Sequence, residues 1–164
     1  MPDTGTVVAV AQLALAVGEL DANRETARAA VAEAAAAGAR LVVLPELSDS
    51  GYVFSGADEA RSLASPASGM TLREWRSLAA RHDLTIADGF CELGPDGKLY
   101  NSAAIVDASG TRAVYRKAHL WDAEKKIFTP GATGGGAAVR QRGAHDLLRP
   151  RVPGVGTANG AERR

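Results

Sequence analysis

Glu46 and Lys117 are the side chains of this 164-residue chain whose type and placement point most directly to chemistry. Glu46 follows the apolar run Leu41-Val42-Val43-Leu44 and Pro45. That puts a carboxylate at the C-terminal end of a strand, where α/β sheets build their sites. Partly buried, it suits general-base work; the same position also suits an exposed loop glutamate. Lys117 lies in Tyr115-Arg116-Lys117-Ala118-His119-Leu120, at the end of another strand-like run. An ammonium there can stabilise a developing oxyanion, or simply remain a solvated surface lysine. Glu124, seven residues on, can pair with Lys117 or orient a substrate, or belong to the solvated run Asp122 to Lys126. His119 reads as a loop hydrogen-bonding group. The three histidines, His82, His119 and His145, show no ligand spacing, so no metal is expected. The single cysteine, Cys91, excludes a disulfide framework and a multi-cysteine zinc site. It lies at a strand end beside a turn and lacks a basic pair to lower its pKa. A small semi-buried thiol fits it better than a nucleophile does.

These side chains need elements to hold them. Residues 6–13 are apolar and β-branched and predict a buried strand. Residues 21–37 predict a helix, with Asp21 as N-cap and Gly38 as the C-terminal stop. Residues 41–44 form a short strand ended by Pro45. A second helix begins at Thr71, where Thr71 and Glu74 form a T-x-x-E capping box, and Leu72, Trp75, Leu78 and Ala79 make its apolar face. Residues 84–90 read as a third strand. Pro95-Asp96-Gly97 is a turn between residues 92 and 98, because Pro presets φ and Gly tolerates a positive one. Residues 100–106 and 111–115 pair across Ala108-Ser109-Gly110. This β-α-β-α-β-β-β order implies an α/β fold, a mixed sheet with helices packed on it.

Composition narrows the partners. Nineteen basic residues balance nineteen acidic ones, so there is neither the basic footprint of a nucleic-acid binder nor a polybasic membrane patch. No apolar run nears the ~18 residues of a membrane span, and the N-terminus lacks the pattern of a signal peptide. A cytoplasmic protein is expected. Residues 132–164 contain no aromatic residue and no lysine, and open on Gly134-Gly135-Gly136. Such a segment buries too little apolar surface to offset its ordering entropy, so a disordered C-terminal tail is expected.

Three stretches together resemble the nitrilase superfamily of carbon–nitrogen hydrolases. They are Leu41 to Leu47 with Gly51-Tyr52, then Leu99-Tyr100-Asn101-Ser102-Ala103, then Tyr115 to Leu120 running through Glu124 to Phe128-Thr129-Pro130-Gly131. The resemblance covers residues 6–131 and implies the first part of a hydrolase domain (1–131, with 132–164 as the tail), about half of an αββα sandwich. It implies Glu46 as the general base, Lys117 as stabiliser of the tetrahedral intermediate and Glu124 as a second glutamate that positions lysine and substrate. Tyr52 and Trp121 are expected to line a substrate pocket. The substrate implied is a small amide, carbamoyl amide or nitrile, attacked by a thiolate. No cofactor and no metal are implied, and homo-oligomers through stacked sheets are.

One member of the implied Glu–Lys–Cys set is absent: no cysteine follows Cys91. The residues His145 to Pro153 permit the codons CAT GAT CTG CTA CGA CCT CGA GTT CCC. Without the first base these read M-I-C-Y-D-L-E-F-P, which resembles the family's nucleophile motif in a neighbouring frame. A frameshift after about Gly131, near the glycine run, is the reading this suggests. The chain as written is then expected to be inactive. The alternative is a fragment that acts at most as an association module.

Overall fold

The computed structural model describes residues 5–132. Apart from Ala132, the expected tail therefore lies outside the described residues, with His145 and the stretch His145 to Pro153.

One five-stranded sheet, in the order β1-β2-β3-β4-β5, organises the fold. Its strands are β1 (Val8–Val10), β2 (Leu41–Val43), β3 (Thr85–Leu93), β4 (Leu99–Asp107) and β5 (Gly110–Arg116). The first three run parallel, Val8 opposite Leu41 and Leu41 opposite Thr85. β3, β4 and β5 are antiparallel, which makes the sheet mixed, as expected. The helices are α1 (Leu20–Ala36), α2 (Ala57–Leu63), α3 (Met70–His82) and α4 (Glu124–Ile127). Among the described residues no helix is long and apolar enough to cross a membrane.

The helix-covered face of the sheet holds the larger core. α1 buries Asn23, Arg24, Ala27 and Val31, a stripe at helical spacing. α3 buries Leu72, Trp75, Leu78 and Ala79 as its pattern predicts. They meet Val42, Ile86, Phe90, Ala104 and Val106 from the strands. The opposite face is covered at one end only, where Leu47, Phe54, Ala60, Cys91, Leu99, Leu120 and Phe128 cluster. Among the described residues nothing covers its other end. Val10, Val43, Ala87, Ile105 and Ala113 form one register row across all five strands, and each remains exposed or half-buried.

Several details differ from the sequence reading. β1 is confined to Val8–Val10, and α1 starts at Leu20 with Glu19 at the cap, so Asp21 is a first-turn acid beside the helix dipole. Gly38 does stop this helix, with φ 85°. The Thr71–Glu74 capping box does not form, because α3 begins at Met70 with Gly69 before it. Buried Asp49 takes the Thr71 hydroxyl at 2.7 Å, and Glu74 pairs with Arg28 of α1. β3 continues through Leu93, so Cys91 lies inside a strand rather than at its end. α2 and α4 were not anticipated. α2 buries only Ala60, which leaves no apolar period to read.

Candidate active site

Glu46 stands where the chain leaves β2 and turns under the sheet. Leu47 adopts a left-handed φ of 52°, and Ser48 N–H donates to the Gly89 carbonyl at 2.8 Å. Gly89 is required at this crossing: a Cβ there would lie 2.7 Å from Glu46 Cα. The loop after Glu46 is buried at Leu47, Ser48, Asp49 and Ser50. Its polar groups are tied down from beneath. Ser48 donates to Asp88, Thr71 Oγ1 donates to Asp49 Oδ2, Arg24 reaches Asp49 Oδ2 at 3.4 Å, and Asn23 Nδ2 donates to the Asp49 carbonyl at 3.0 Å. Buried polar groups must find partners, so this network fixes the loop that presents Glu46.

Lys117 follows β5 directly. Its N–H donates to the Asn101 carbonyl on β4 at 2.8 Å, and its own carbonyl accepts from Gly131 N–H at 2.9 Å. Gly131 packs so closely that a Cβ would lie 2.2 Å from the Arg116 carbonyl. The Phe128 to Gly131 segment thus clamps the strand end that carries Lys117. Glu124 opens α4, and its Oε2 accepts the Trp121 backbone N–H at 2.8 Å.

These segments bring the three expected residues together. Lys117 Nζ donates to Glu46 Oε1 and to Glu124 Oε1, each at 2.9 Å. Asn101 Nδ2 donates to the same two oxygens, at 2.6 Å and 2.9 Å. Tyr52 hydroxyl donates to Glu124 Oε1 at 3.0 Å. Glu46 remains open to solvent, with its side chain 42% exposed, whereas that of Glu124 is 8% exposed. Glu124 is therefore not a member of a solvated run, although Lys125 and Lys126 beside it are exposed.

Electrostatics follow the contacts. Burial pushes the Glu124 carboxyl up, but the bonds from Trp121 N–H, Lys117 and Tyr52 outweigh it and hold the group below its ordinary value. Burial pulls the Lys117 ammonium down, and the bonds to Glu124 and Glu46 more than reverse this, holding it above its ordinary value. Burial and donation to Glu124 raise the Tyr52 hydroxyl.

Other candidates fall outside this cluster. Cys91 is 1% exposed, its thiol lies 3.5 Å from the Ala60 carbonyl, and burial with the Asp49 charge pushes it up to about 12. It is more buried than the sequence suggested, and it stays protonated. His119 is exposed. The Trp121 indole is 71% exposed, so its backbone, not its ring, meets Glu124. Among the described residues no group of three or more His, Cys, Asp or Glu could hold a metal ion. Asn101 was not singled out from the sequence, although it lies in the Leu99 to Ala103 stretch. An amide side chain inside a strand-like run, between Tyr100 and Ser102, was the available signal.

The family profile described as carbon-nitrogen hydrolase matches residues 7–157. A nitrilase of Pyrococcus abyssi is 38% identical over 128 residues, covering 77% of this chain and 48% of that protein. An N-carbamoylputrescine amidase of Solanum lycopersicum is 35% identical over 143 residues, covering 82% of this chain and 47% of that protein. An (R)-stereoselective amidase of a Pseudomonas species is 36% identical over 91 residues, covering 56% and 32%. The chain spans about half or less of the length of these curated relatives. Among solved structures, Saccharomyces cerevisiae Nit3, a member of branch 10 of the nitrilase superfamily, matches with TM-score 0.65 at 27% identity, covering 76% of this chain and 48% of that one. An N-terminal amidase matches with TM-score 0.68 at 22% identity, covering 76% and 30%, and shares the fold.

Proposed function

This chain belongs to the carbon-nitrogen hydrolase family, and from that premise we propose that its site serves amidase-like hydrolysis of a small amide, carbamoyl amide or nitrile. The observation that carries the reading is the convergence of Glu46, Lys117 and Glu124, from three separate segments, within 2.9 Å of one ammonium. Relatives named as amidases and a carbamoylputrescine amidase support the amide branch.

Roles follow from which atoms are engaged. Glu46 Oε1 is held by Asn101 and Lys117, which leaves Oε2 to take a proton. Lys117 donates two of its three protons to carboxylates, and the third serves an oxyanion. Glu124 accepts from Tyr52, Asn101, Lys117 and Trp121, so it acts as a fixed anion that orients Lys117. On an amide, a thiol gives its proton to Glu46 while sulfur attacks the carbonyl carbon. The tetrahedral intermediate then expels the amine, which takes the proton from Glu46. Water hydrolyses the thioester with Glu46 as base, releasing acid and restoring the thiol. Tyr52 and Trp121 are proposed to flank the substrate.

The thiol is the unfilled role. Cys91 is the single cysteine of the chain, and it is buried against Ala60. We therefore place the nucleophile in the alternative frame M-I-C-Y-D of the tail, and residues 1–131 in the hydrolase domain proper. A second reading, a fragment that associates without catalysis, is favoured by the apolar row on the site-bearing side of the sheet that no described residue covers. Ammonia release from an amide panel separates them. Turnover only by a frame-restored chain, and its loss on thiol alkylation, is expected. Robust turnover by the chain as written that survives alkylation overturns the cysteine-dependent reading. Sequencing the coding DNA tests the frame directly.

A further inference from the structure

Asn101 is 4% exposed and lies on β4 directly opposite Cys91 of β3. Its backbone carbonyl receives the Lys117 N–H. Its carboxamide nitrogen carries two protons and donates one to Glu46 Oε1 and one to Glu124 Oε1. Lys117 Nζ donates to those same two oxygens. The four groups form a closed ring, with donors at two opposite corners and carboxylate oxygens at the other two.

We propose that Asn101 is a positioning residue: its carboxamide closes the ring that holds two carboxylates beside a single lysine and turns Glu46 so that Oε2 is the free oxygen. The inference rests on the hydrolase reading only for the use to which Oε2 is put. One ammonium cannot neutralise two carboxylates, and like charges this close repel. A neutral donor bound to both lowers that cost without adding charge. It also restrains Glu46, the more exposed of the pair. With Lys117 alone, Glu46 could rotate about its terminal bond and offer either oxygen to the ammonium. With the second donor in place, Oε1 is committed twice. The choice of amide is chemically specific. Aspartate at this position would add a third carboxylate, and leucine of similar size would leave the ring open.

The test uses the full chain and needs no turnover. The Glu124 carboxyl is followed by carbon-13 NMR through an acid titration in the wild type and in Asn101→Leu and Asn101→Asp, with melting curves alongside. The proposal expects the Glu124 midpoint to rise by about one pH unit in Asn101→Leu, a tenfold weaker hold on the ionised form, and by more in Asn101→Asp. An unchanged midpoint in folded Asn101→Leu overturns it. Should either variant fail to fold, the wild type still decides. Both Asn101 carboxamide protons should resist solvent exchange at neutral pH and lose that protection together as Glu124 protonates. Fast exchange of either proton at neutral pH overturns the ring. Failure of a frame-restored chain to release ammonia would count against the hydrolase reading and leave these titrations standing.

Discussion

Glu124 and Lys117 respond to pH in opposite senses. A carboxyl held below its ordinary value contributes stability above the unfolded value, and loses it as pH falls through the folded one. An ammonium held above its ordinary value contributes stability below the unfolded value, and loses it as pH rises through the folded one. The cluster should therefore be fully effective between about pH 5 and about pH 10. Lys117→Met tests this. It leaves Glu46 and Glu124 bridged by Asn101 alone, and should cost about 1 kcal/mol at pH 7, since Lys117 is partly solvated. The cost in melting experiments should shrink as the pH falls through the lowered Glu124 value. Cys91 offers a second check at this scale. Its thiol is buried and raised to about 12, so iodoacetamide should modify the native chain far more slowly than the urea-unfolded chain. Mass spectrometry that finds equal rates would contradict its burial.

The elements that set these side chains were unequally legible. Strong periods, such as Leu72, Trp75, Leu78 and Ala79, identified α3, and Gly38 marked the end of α1. The order of elements along the chain and the mixed sheet followed from these patterns, whereas the β1-β2-β3-β4-β5 order within the sheet came from the structure. Position alone, however, left Glu46 and Lys117 divided between site and surface, and the family resemblance decided their expected roles. What stayed hidden was tertiary. Thr71 looked like a cap, but buried Asp49 competes for its hydroxyl. The burial of Glu124 depends on a short helix and a backbone N–H that no local pattern announces. Asn101 is defined by partners 55 and 23 residues away. Two predictions belong to elements. Gly89→Ala places a Cβ 2.7 Å from Glu46 Cα, between backbones that cannot easily yield. It should cost about 2 kcal/mol or more in chemical denaturation. Asp88, fully buried, has its carboxyl raised well above the ordinary value, chiefly by burial. Such a group favours folding when neutral, and opposes it increasingly as pH rises past the unfolded value. Asp88→Asn keeps an acceptor for Ser48 and should therefore raise the melting temperature more at pH 7 than at pH 3.

For the whole molecule, the uneven covering of the sheet is decisive. One face is closed by α1 and α3, while no described residue forms a layer over the row from Val10 to Ala113. Exposed apolar surface of this kind drives association, and among the described residues β1 adds an edge paired on one side only. Sedimentation of the chain as written should show concentration-dependent self-association. Val10→Lys combined with Ile105→Lys should reduce it while leaving the far-UV circular dichroism unchanged. Association unaffected by both charges would place the contact elsewhere.

The Glu46–Lys117 pair joins positions 71 residues apart, and the Glu46–Asn101 bond joins positions 55 apart. Closing chain loops of that length is entropically unfavourable until strand pairing has already brought their ends together. The Glu46 side of the ring cannot pre-form in a locally structured intermediate, although Lys117 and Glu124 are only seven residues apart. The complete ring is therefore expected to close only after β2, β4, β5 and α4 are in register, late in folding. An NMR signature of the intact ring would then report that the sheet as a whole has assembled, before any substrate is added.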